Sequence, residues 1–396
     1  MTNQIEIGRG KRGRRAFSLD DVSVVPARRT RDPQDVSLTW RIDAYTFDMP
    51  VIGAPMDSVM SPETAIAMGR LGGLGVLNLE GLWTRHEDPR PLLEEIAALE
   101  AGPDGTEATR RLQEAYAAPI RPDLITERLA QIREAGVVVA GSLTPQNTQE
   151  FYRTVVAAGV DLFVIRGTTV SAEHVSSTQE PLDLKQFIYE LDVPVIVGGA
   201  AGYTPALHLM RTGAAGVIVG VGADSYSTTD AVMGIRVPLA SAIADAAAAR
   251  RDYLDETGGR YVHIIADTEF ENSGNIAKAF ACGADGVALG PLLAQAREAG
   301  GKGWYWPATA GHPRFPRGFV QFSGADTDLD VDFLTTGTPA EATEESAAPS
   351  LETVLHGPSS EPFGRTNLVG ALRRSMAKCG YTDLKSFQKV ELAVRY

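Results

Sequence analysis

The sequence predicts a TIM (β/α)8 barrel with a long acidic flap near the C-terminus. Eight short apolar runs that end in small or polar residues recur along the 396-residue chain. Alanine- and leucine-rich segments with helical spacing lie between most of them, and short turns such as TGAAG and CGADG end those segments. Because strict alternation of strand and helix demands a parallel sheet, eight repeats close that sheet into a barrel. A doubly wound open sheet is the alternative fold.

The candidate strands are short and rich in β-branched residues, as strands buried on both faces are. Segments with helical spacing separate several of them, for example at 125–135, 203–211 and 275–282. The eight runs that we assign to the barrel lie at 50–57, 73–78, 137–143, 162–167, 194–200, 215–222, 262–267 and 286–289.

Two segments interrupt this alternation within what we expect to be a single domain, 1–396. The stretch 86–123 is rich in Glu, Ala and Arg and too short for an inserted domain, so it predicts a helical connector. The stretch 304–364 is rich in Pro, Gly and acids without a sustained period, which predicts a mobile or partly disordered flap. Alternating aspartates at 326–332 imitate a calcium loop, but the turn glycine and the closing glutamate are missing.

Composition excludes several classes of function. The net charge of −13 argues against nucleic acid as the main partner, because phosphate backbones would be repelled. We find no apolar run near 18 residues and no signal peptide, so we expect no membrane partner and a cytoplasmic location. Cys282 and Cys379 fit a reducing compartment, and scattered histidines give no metal-ligand spacing, so no metal is expected. The basic run 8–15 predicts a surface arm that packs on a neighbouring subunit.

The stretch 262–291 carries the main functional signal. Its first strand ends in Asp267, and its second strand ends at Gly290. In a parallel barrel the carboxyl ends of neighbouring strands share one rim, so both residues should face the same pocket. A carboxylate there can accept the hydroxyls of a ribose, and a glycine lets backbone N–H groups approach a phosphate. The pair therefore suggests a sugar phosphate or a nucleotide.

Several ordered motifs resemble the IMP dehydrogenase and GMP reductase family. The stretch VIRGTTVSAEHVS at 164–176 is most similar to family members that lack the regulatory CBS pair. The resemblance covers nearly the whole chain apart from the flap. The motifs that carry it are FSLDDVSVVP at 17–26, APMDSV at 54–59, GRLGGLGVLN at 69–78, VGVGADSYSTT at 219–229, the stretch 262–291 and GALRRSMAKCGYTDLKSFQ at 370–388.

The resemblance implies hydride transfer between a purine and NAD or NADP, with a cysteine that attacks purine C2. In this chain the cysteine position is Ser227, and a serine needs a nearby base to match a thiolate as a nucleophile. Thr229 matches the threonine that helps to activate water or ammonia. A polar turn that caps the following helix is the alternative interpretation of both residues.

The same resemblance implies the binding residues. It places Met56, Gly222, Ser225, Asp267 and Gly290 at the substrate. On the nicotinamide side it implies Arg166, where the dehydrogenases have an aspartate, followed by Gly167 and Thr168. An N-cap role is the alternative for Asp267, although Ser273 is better placed for capping the next helix. Ordinary packing at the rim of the barrel is the alternative for Met56. Tyr226 could stack on a base or serve in packing.

Other positions depart from the family pattern around the phosphate. Asp224 and Asp230 put negative charge where the family binds phosphate, so Arg236 or an arginine of the flap is needed to compensate. The usual double glycine after the ribose carboxylate is Thr268 and Glu269. Pro291 replaces a serine that would donate to phosphate, and proline has no N–H of its own.

Three hypotheses of function remain open. One is a nicotinamide-dependent purine nucleotide oxidoreductase of the IMP dehydrogenase or GMP reductase type. Another is a catalytically silent homologue that binds a purine ligand or regulates an active relative. The third is an enzyme of specialised metabolism that acts on a modified or unphosphorylated purine nucleoside. The resemblance also implies a homotetramer.

Overall fold

Eight parallel strands form a closed barrel at the centre of the computed structural model. The structure describes residues 4–99, 106–177, 180–268, 270–323 and 348–395. In chain order its strands are β1 (Gln4–Gly8), β2 (Lys11–Arg14), β3 (Val22–Val24), β4 (Trp40–Ile42), β5 (Tyr45–Phe47), β6 (Val51–Gly53), β7 (Leu74–Asn78), β8 (Ala140–Leu143), β9 (Leu162–Arg166), β10 (Val195–Ala200), β11 (Gly216–Val219), β12 (His263–Asp267), β13 (Gly286–Leu289), β14 (Trp304–Tyr305), β15 (Gln321–Phe322) and β16 (Leu392–Val394).

The barrel consists of β6 to β13 in sequence order, each paired in parallel with the next strand. Closure comes from β13, which pairs with β6 through Val287 opposite Val51 and Ala288 opposite Ile52. Each of the eight runs assigned from the sequence contains one of these strands. The prediction of a TIM barrel is therefore confirmed, and the open doubly wound sheet is wrong.

Helices follow most barrel strands and cover the outside of the barrel. Their packing places most of the apolar helix faces in one core with the strands. The helices are α1 (Pro62–Arg70), α2 (Arg90–Ala98), α3 (Thr106–Tyr116), α4 (Pro122–Glu134), α5 (Pro145–Ala157), α6 (Leu184–Glu190), α7 (Tyr203–Arg211), α8 (Thr229–Met233), α9 (Leu239–Thr257), α10 (Ser273–Cys282), α11 (Pro291–Ala294), α12 (Leu351–His356), α13 (Leu368–Lys378) and α14 (Leu384–Phe387).

Local capping chemistry fixes where some of these helices begin. The Ser61 hydroxyl accepts the Thr64 N–H at 3.0 Å, and Pro62 opens α1, where its missing N–H costs nothing. Asn272 caps α10 by accepting the Asn275 N–H at 3.0 Å. The sequence expectation that Ser273 is the cap is wrong by one residue, because Ser273 is already helical while Asn272 has an extended backbone.

A short hairpin closes the amino end of the barrel. Its strands β4 and β5 bring Trp40 and Phe47 into a stacked pair with ring centroids 5.2 Å apart. The Trp40 indole N–H donates to His263 Nδ1 at 3.2 Å, at the start of β12. Because this end is filled by side chains, the free end of the barrel is the one where the strands finish.

The connector and part of the flap pack together beside that free end. Helices α2 and α3 lie in the connector, and α3 packs against the 3-10 turn Ala308–Gly311 of the flap segment. Strands β14 and β15 pair with each other within the same flap segment. Residues 324–347 of the flap, including the alternating aspartates, lie outside the described residues.

Within the described ranges, no helix has the length and apolar character needed to cross a bilayer. The same ranges contain no group of three His, Cys, Asp or Glu side chains arranged to hold a metal ion.

Candidate active site

The mouth of the barrel, where strands β6 to β13 end, contains a large cavity of about 730 Å³ and an adjoining small pocket of about 70 Å³. Both are lined by Asp224, Tyr226, Asp267 and Thr268. Every residue that the sequence nominated for the site lines one of them. The large cavity has Met56, Arg166, Gly167, Thr168, Gly222, Ser227, Thr229 and Asp267, and the small pocket has Ser225, Gly290 and again Asp267.

Arg166 and Asp267 form an ion pair across the mouth. Arg166 ends β9 and Asp267 ends β12, so two strands separate them. The guanidinium Nε and Nη2 donate to the same carboxylate oxygen, Oδ2, at 3.0 and 2.6 Å. Between these two strands, the cavity wall includes Gly199 at the end of β10 and Gly220 after β11. Because glycine has no side chain, the Arg166 guanidinium can reach the Asp267 carboxylate.

The ion pair sets the charge of the cavity floor. Burial is the largest single influence on Arg166 and lowers its pKa, but the charge and hydrogen bond of Asp267, together with Tyr226 and Asp224, raise that pKa above its ordinary value. The Asp267 side chain is 7% exposed and the Arg166 side chain 29%. Both Arg166 nitrogens bind Oδ2, so Oδ1 accepts no hydrogen bond from this arginine.

Ser227 and Thr229 lie together in the loop after β11. Their hydroxyl oxygens are 2.9 Å apart, and the Thr229 N–H donates to Ser227 Oγ at 3.3 Å. Among the described residues, we find no histidine or carboxylate side chain that hydrogen-bonds to Ser227. The two hydroxyls contact each other within the turn, which also lines the large cavity. The N-cap of α8 is Thr228, and its side chain makes no cap hydrogen bond, so neither Ser227 nor Thr229 is the cap residue of this helix.

Two glycines shape the walls for steric reasons. Gly222 has a φ of +65°, a left-handed conformation that L side chains rarely adopt. At Gly290 a Cβ would overlap the sulfur of Met56, so the glycine lets the Met56 side chain pack under the end of β13. Met56 is 3% exposed in this position.

A second polar cluster lies on the connector side of the large cavity, and sequence reasoning missed it. Asp57 follows β6 and is 1% exposed; its Oδ2 accepts a short hydrogen bond from the Tyr116 hydroxyl of α3. The Leu82 N–H donates to the same oxygen at 3.0 Å. Burial raises the pKa of Asp57 to about 6, against these donors and the charge of Arg85. The motif APMD was a signal for Asp57, but no sequence pattern pointed to Tyr116.

Glu80 forms the next part of the cavity wall, after β7. Its carboxylate accepts the Thr144 N–H at 2.9 Å, the Thr144 hydroxyl at 3.1 Å and a short bond from the Asn147 side chain. Burial is the largest influence on Glu80 and raises its pKa despite these donors. These hydrogen bonds tie the loop after β8 to Glu80, and this loop and Thr168 both line the large cavity.

Comparison with known proteins identifies the family. Residues 16–396 match the IMP dehydrogenase / GMP reductase domain. The chain belongs to the IMP dehydrogenase/GMP reductase family. An uncharacterized oxidoreductase of Mycolicibacterium smegmatis is 56% identical over 98% of this chain and 99% of its own length. An uncharacterized oxidoreductase of Mycobacterium tuberculosis is 54% identical with the same coverage.

More distant and structural comparisons agree with this family. The inosine-5'-monophosphate dehydrogenase of Korarchaeum cryptofilum is 27% identical over 72% of this chain and 76% of its own length. The crystal structure of an IMP dehydrogenase/GMP reductase-like protein from Corynebacterium glutamicum superposes with a TM-score of 0.90. That protein is 53% identical, and the match covers 99% of this chain and 98% of that one.

Within this IMP dehydrogenase/GMP reductase fold, both cysteines lie away from the pockets. Cys282 ends α10, and burial raises the pKa of its thiol to about 12. Cys379 follows α13 and is buried. Neither residue lines the large cavity or the small pocket. The mouth of the barrel in this chain therefore has no cysteine thiol.

Three positions at which the sequence departs from the family pattern, Asp224, Thr268 and Pro291, line the small pocket, whereas Asp230 is exposed and lines neither pocket. Thr268 has a φ of +97°, unusual for a non-glycine residue, and its buried hydroxyl has no hydrogen-bond partner. Asp224, Glu271 and Arg365 also line this pocket. The sequence offered Arg236 to balance the acids, but Arg236 is exposed and lines neither pocket. Glu269 lies outside the described residues.

Tyr226 separates the small pocket from the large cavity and packs edge-to-face on Tyr305, with ring centroids 5.4 Å apart. It is 7% exposed. This contact favours the packing role that the sequence left open, with one side of the ring still on the cavity wall.

Proposed function

We propose that this chain is a nicotinamide-dependent oxidoreductase that acts on a purine nucleotide. One observation carries the proposal: Met56, Ser227, Thr229 and Asp267 converge on one cavity in a barrel of the IMP dehydrogenase/GMP reductase family. The cavity volume lies in the range of ordinary small-molecule sites.

In the proposed complex, Asp267 binds the ribose and Met56 packs on the purine. The Oδ1 atom of Asp267, which Arg166 does not bind, can accept a ribose hydroxyl while Oδ2 keeps its ion pair. Met56 offers a flexible apolar surface that adapts to a flat ring. Arg166 then neutralises Asp267 without blocking the sugar.

In this proposal NAD or NADP binds against Thr144, Gly167 and Thr168, which line the same large cavity. The side chains and backbone of these residues provide polar groups for a carboxamide. When bound, the nicotinamide accepts or donates the hydride. Arg166, Gly167 and Thr168 would hold that ring next to the purine.

Without a thiol at the mouth, Ser227 and Thr229 act in this proposal by positioning. A serine without an adjacent base is a poor nucleophile. Among the described residues, the Ser227 hydroxyl oxygen hydrogen-bonds to the hydroxyl and the backbone N–H of Thr229. The paired hydroxyls can orient a water or an amine next to purine C2. The reaction therefore proceeds without a covalent bond from this loop to the purine.

A hydride-transfer assay tests the proposal. Purified protein is incubated with IMP, XMP or GMP and each of NAD, NADP, NADH and NADPH, and the absorbance of the reduced nicotinamide is followed. We expect turnover with at least one pair and its loss in Asp267→Ala. Purine binding without turnover in every pair would instead identify a catalytically silent, purine-binding homologue.

An unphosphorylated nucleoside is the second candidate substrate. Asp224 and Glu271 lie in the small pocket, where a 5′ substituent would reach, and burial together with Asp20 raises the pKa of Glu271 despite nearby Arg365. Acids repel a phosphate dianion but accept a hydroxyl. Stronger thermal stabilisation by inosine or guanosine than by their monophosphates would support the nucleoside as substrate. Glu271→Gln should then reduce the difference in stabilisation between nucleoside and monophosphate.

We also propose that the chain forms a homotetramer. The hairpin β1–β2 carries the basic arm and exposes Ile5 and Ile7, which are 49% and 71% exposed in the single chain. Exposed apolar side chains on a projecting arm are stabilised when a neighbouring subunit buries them. Light scattering of the intact protein, compared with an Ile5→Ser, Ile7→Ser variant, measures the state and the role of the arm.

A further inference from the structure

A buried carboxyl and a tyrosine from the connector meet at the wall of the large cavity. Asp57 lies behind this wall, with Oδ1 buried and without a hydrogen-bond partner among the described residues. Its Oδ2 accepts the Tyr116 hydroxyl, the Leu82 N–H at 3.0 Å and the Asn78 amide at 3.5 Å. Two of its hydrogen-bond partners, Asn78 and Tyr116, also line the large cavity. Of these two side chains the phenol can both release and accept a proton, whereas the amide cannot, so Tyr116 is the route by which Asp57 can exchange a proton with a bound molecule.

Tyr116 is suited to that task by its position. It ends α3, is half-buried and lines the large cavity, as do Met56 and Ser227. Its hydroxyl donates to Asp57 and accepts the Trp306 indole N–H at 3.3 Å. A phenol oxygen has two lone pairs, so one remains for a molecule in the cavity. Arg85 lies over the ring, 5.9 Å from its centroid.

We propose that Tyr116 and Asp57 form a proton-transfer pair that serves the reaction in the large cavity. Tyr116 is the catalytic residue that contacts the reacting water or amine, and Asp57 is the group that stores the proton. This inference rests on the proposed function, because the hydride chemistry supplies the proton to be moved.

Oxidation of the purine by this route releases one proton. When water adds to a purine carbon and the carbon's hydride passes to oxidised nicotinamide, the water must lose one proton. One water O–H bond breaks as that proton moves to the Tyr116 oxygen. The original Tyr116 proton moves to Asp57 Oδ2, which forms the new carboxyl O–H bond. In the reductive direction each bond change reverses, and Asp57 supplies the proton.

The pKa of Asp57 is set by its burial and by the charged groups around it. Arg85, in the turn after β7, favours the ionised form of the Asp57 carboxylate. Glu80 interacts with Arg85 and lines the same cavity. Tyr116 faces Asp57 from α3, and its own pKa is raised well above 10 by burial and by Asp57. Burial of Asp57 dominates and raises its pKa to about 6. Asp57 can therefore change protonation state near neutral pH, whereas Tyr116 passes protons only in concert with it.

The experiment compares Tyr116→Phe with a matched control, Tyr261→Phe. Tyr261 donates to Asp285 at 2.6 Å near the amino end of the barrel, so its substitution also removes one tyrosine–aspartate hydrogen bond. Tyr116→Phe should lower kcat about 100-fold, a usual size for one acid–base group, with little change in KM for the purine. Tyr261→Phe should leave kcat unchanged, and thermal unfolding checks that both variants are folded.

The pH profile distinguishes catalysis from a structural role. Wild-type kcat in the oxidative direction should rise through a pH of about 6, and in the reductive direction it should fall through the same pH. Tyr116→Phe should remove this inflection. Asp57→Asn should also remove it, and the double variant should be no slower than the slower single variant, since the pair acts as a unit.

The same measurements distinguish an error in the proton-transfer pair from an error in the proposed function. Wild-type turnover that persists in Tyr116→Phe with an unchanged pH profile would overturn the proton-transfer pair alone. Wild-type protein that transfers no hydride with any purine and nicotinamide pair would overturn the proposed function, and this inference with it.

Discussion

Arg166 and Asp267 neutralise one another at the centre of the barrel mouth, through two nitrogens on a single carboxylate oxygen. The sequence assigned these residues to different ligands, one to the nicotinamide and one to the ribose. Their contact makes the two halves of the candidate site electrostatically dependent. A change on one side therefore alters the charge that the other side presents.

Breaking this ion pair should destabilise the fold. Arg166→Met and Asp267→Asn should each lower the free energy of unfolding by about 2 kcal/mol, because each leaves a partly buried polar group unpaired. The double variant should lose less than the sum of the two, as measured by urea denaturation. The exposed pair Arg211–Glu256 is the control, with both side chains nearly half exposed, and its coupling should be below about 1 kcal/mol. Additive losses at Arg166 and Asp267 would contradict the coupling.

Asp57 should make the protein less stable as pH rises. Its folded-state pKa is about 6, above its ordinary value of 3.8, so the folded protein binds the extra proton between these values. The free energy of unfolding should therefore fall between pH 4 and pH 6 by about 3 kcal/mol from this group and then level off. The measurement is urea denaturation across this pH range, with the difference between wild type and Asp57→Asn isolating the contribution. A difference that does not vary with pH would refute it.

Thr268→Gly should stabilise the protein. Thr268 occupies a glycine-like conformation with an unpartnered buried hydroxyl, so glycine should relieve roughly 1 kcal/mol of backbone strain. Thr212→Gly is the control, because Thr212 has a φ of −72° and its hydroxyl donates to the Leu209 carbonyl at 2.6 Å. The midpoint of thermal unfolding should be higher than in wild type for Thr268→Gly and lower for Thr212→Gly. A lower midpoint in both variants would mean that the backbone of Thr268 is not strained.

Ser227→Cys should introduce a reactive thiol. The natural cysteines react slowly near neutral pH, because burial raises the pKa of both thiols. Iodoacetamide should therefore modify Ser227→Cys faster than wild type, as measured by mass spectrometry of the intact protein. The same variant should increase hydride transfer if the cavity still orients purine C2 towards residue 227. Equal modification rates would show that this loop does not face the open cavity.

The sequence predicted the barrel because each strand carries its own apolar signal and each helix its own period. It also placed Asp267 and Gly290 at one rim, since the ends of neighbouring parallel strands must meet. It could not reveal that Arg166 pairs with Asp267, because the contact crosses two strands that contribute glycines there. The Asp57–Tyr116 contact was equally hidden, since it joins β6 to a connector helix that has no family motif.

A thermal-shift titration of wild type and Asp267→Ala with IMP, GMP, inosine and guanosine measures whether the mouth of the barrel binds a purine ribose through Asp267. We expect at least one of these purines to raise the unfolding midpoint of the wild type in a concentration-dependent way, and we expect Asp267→Ala to remove this shift while remaining folded. No shift with any purine, or an equal shift in Asp267→Ala, would contradict a purine ribose site at the mouth of this barrel.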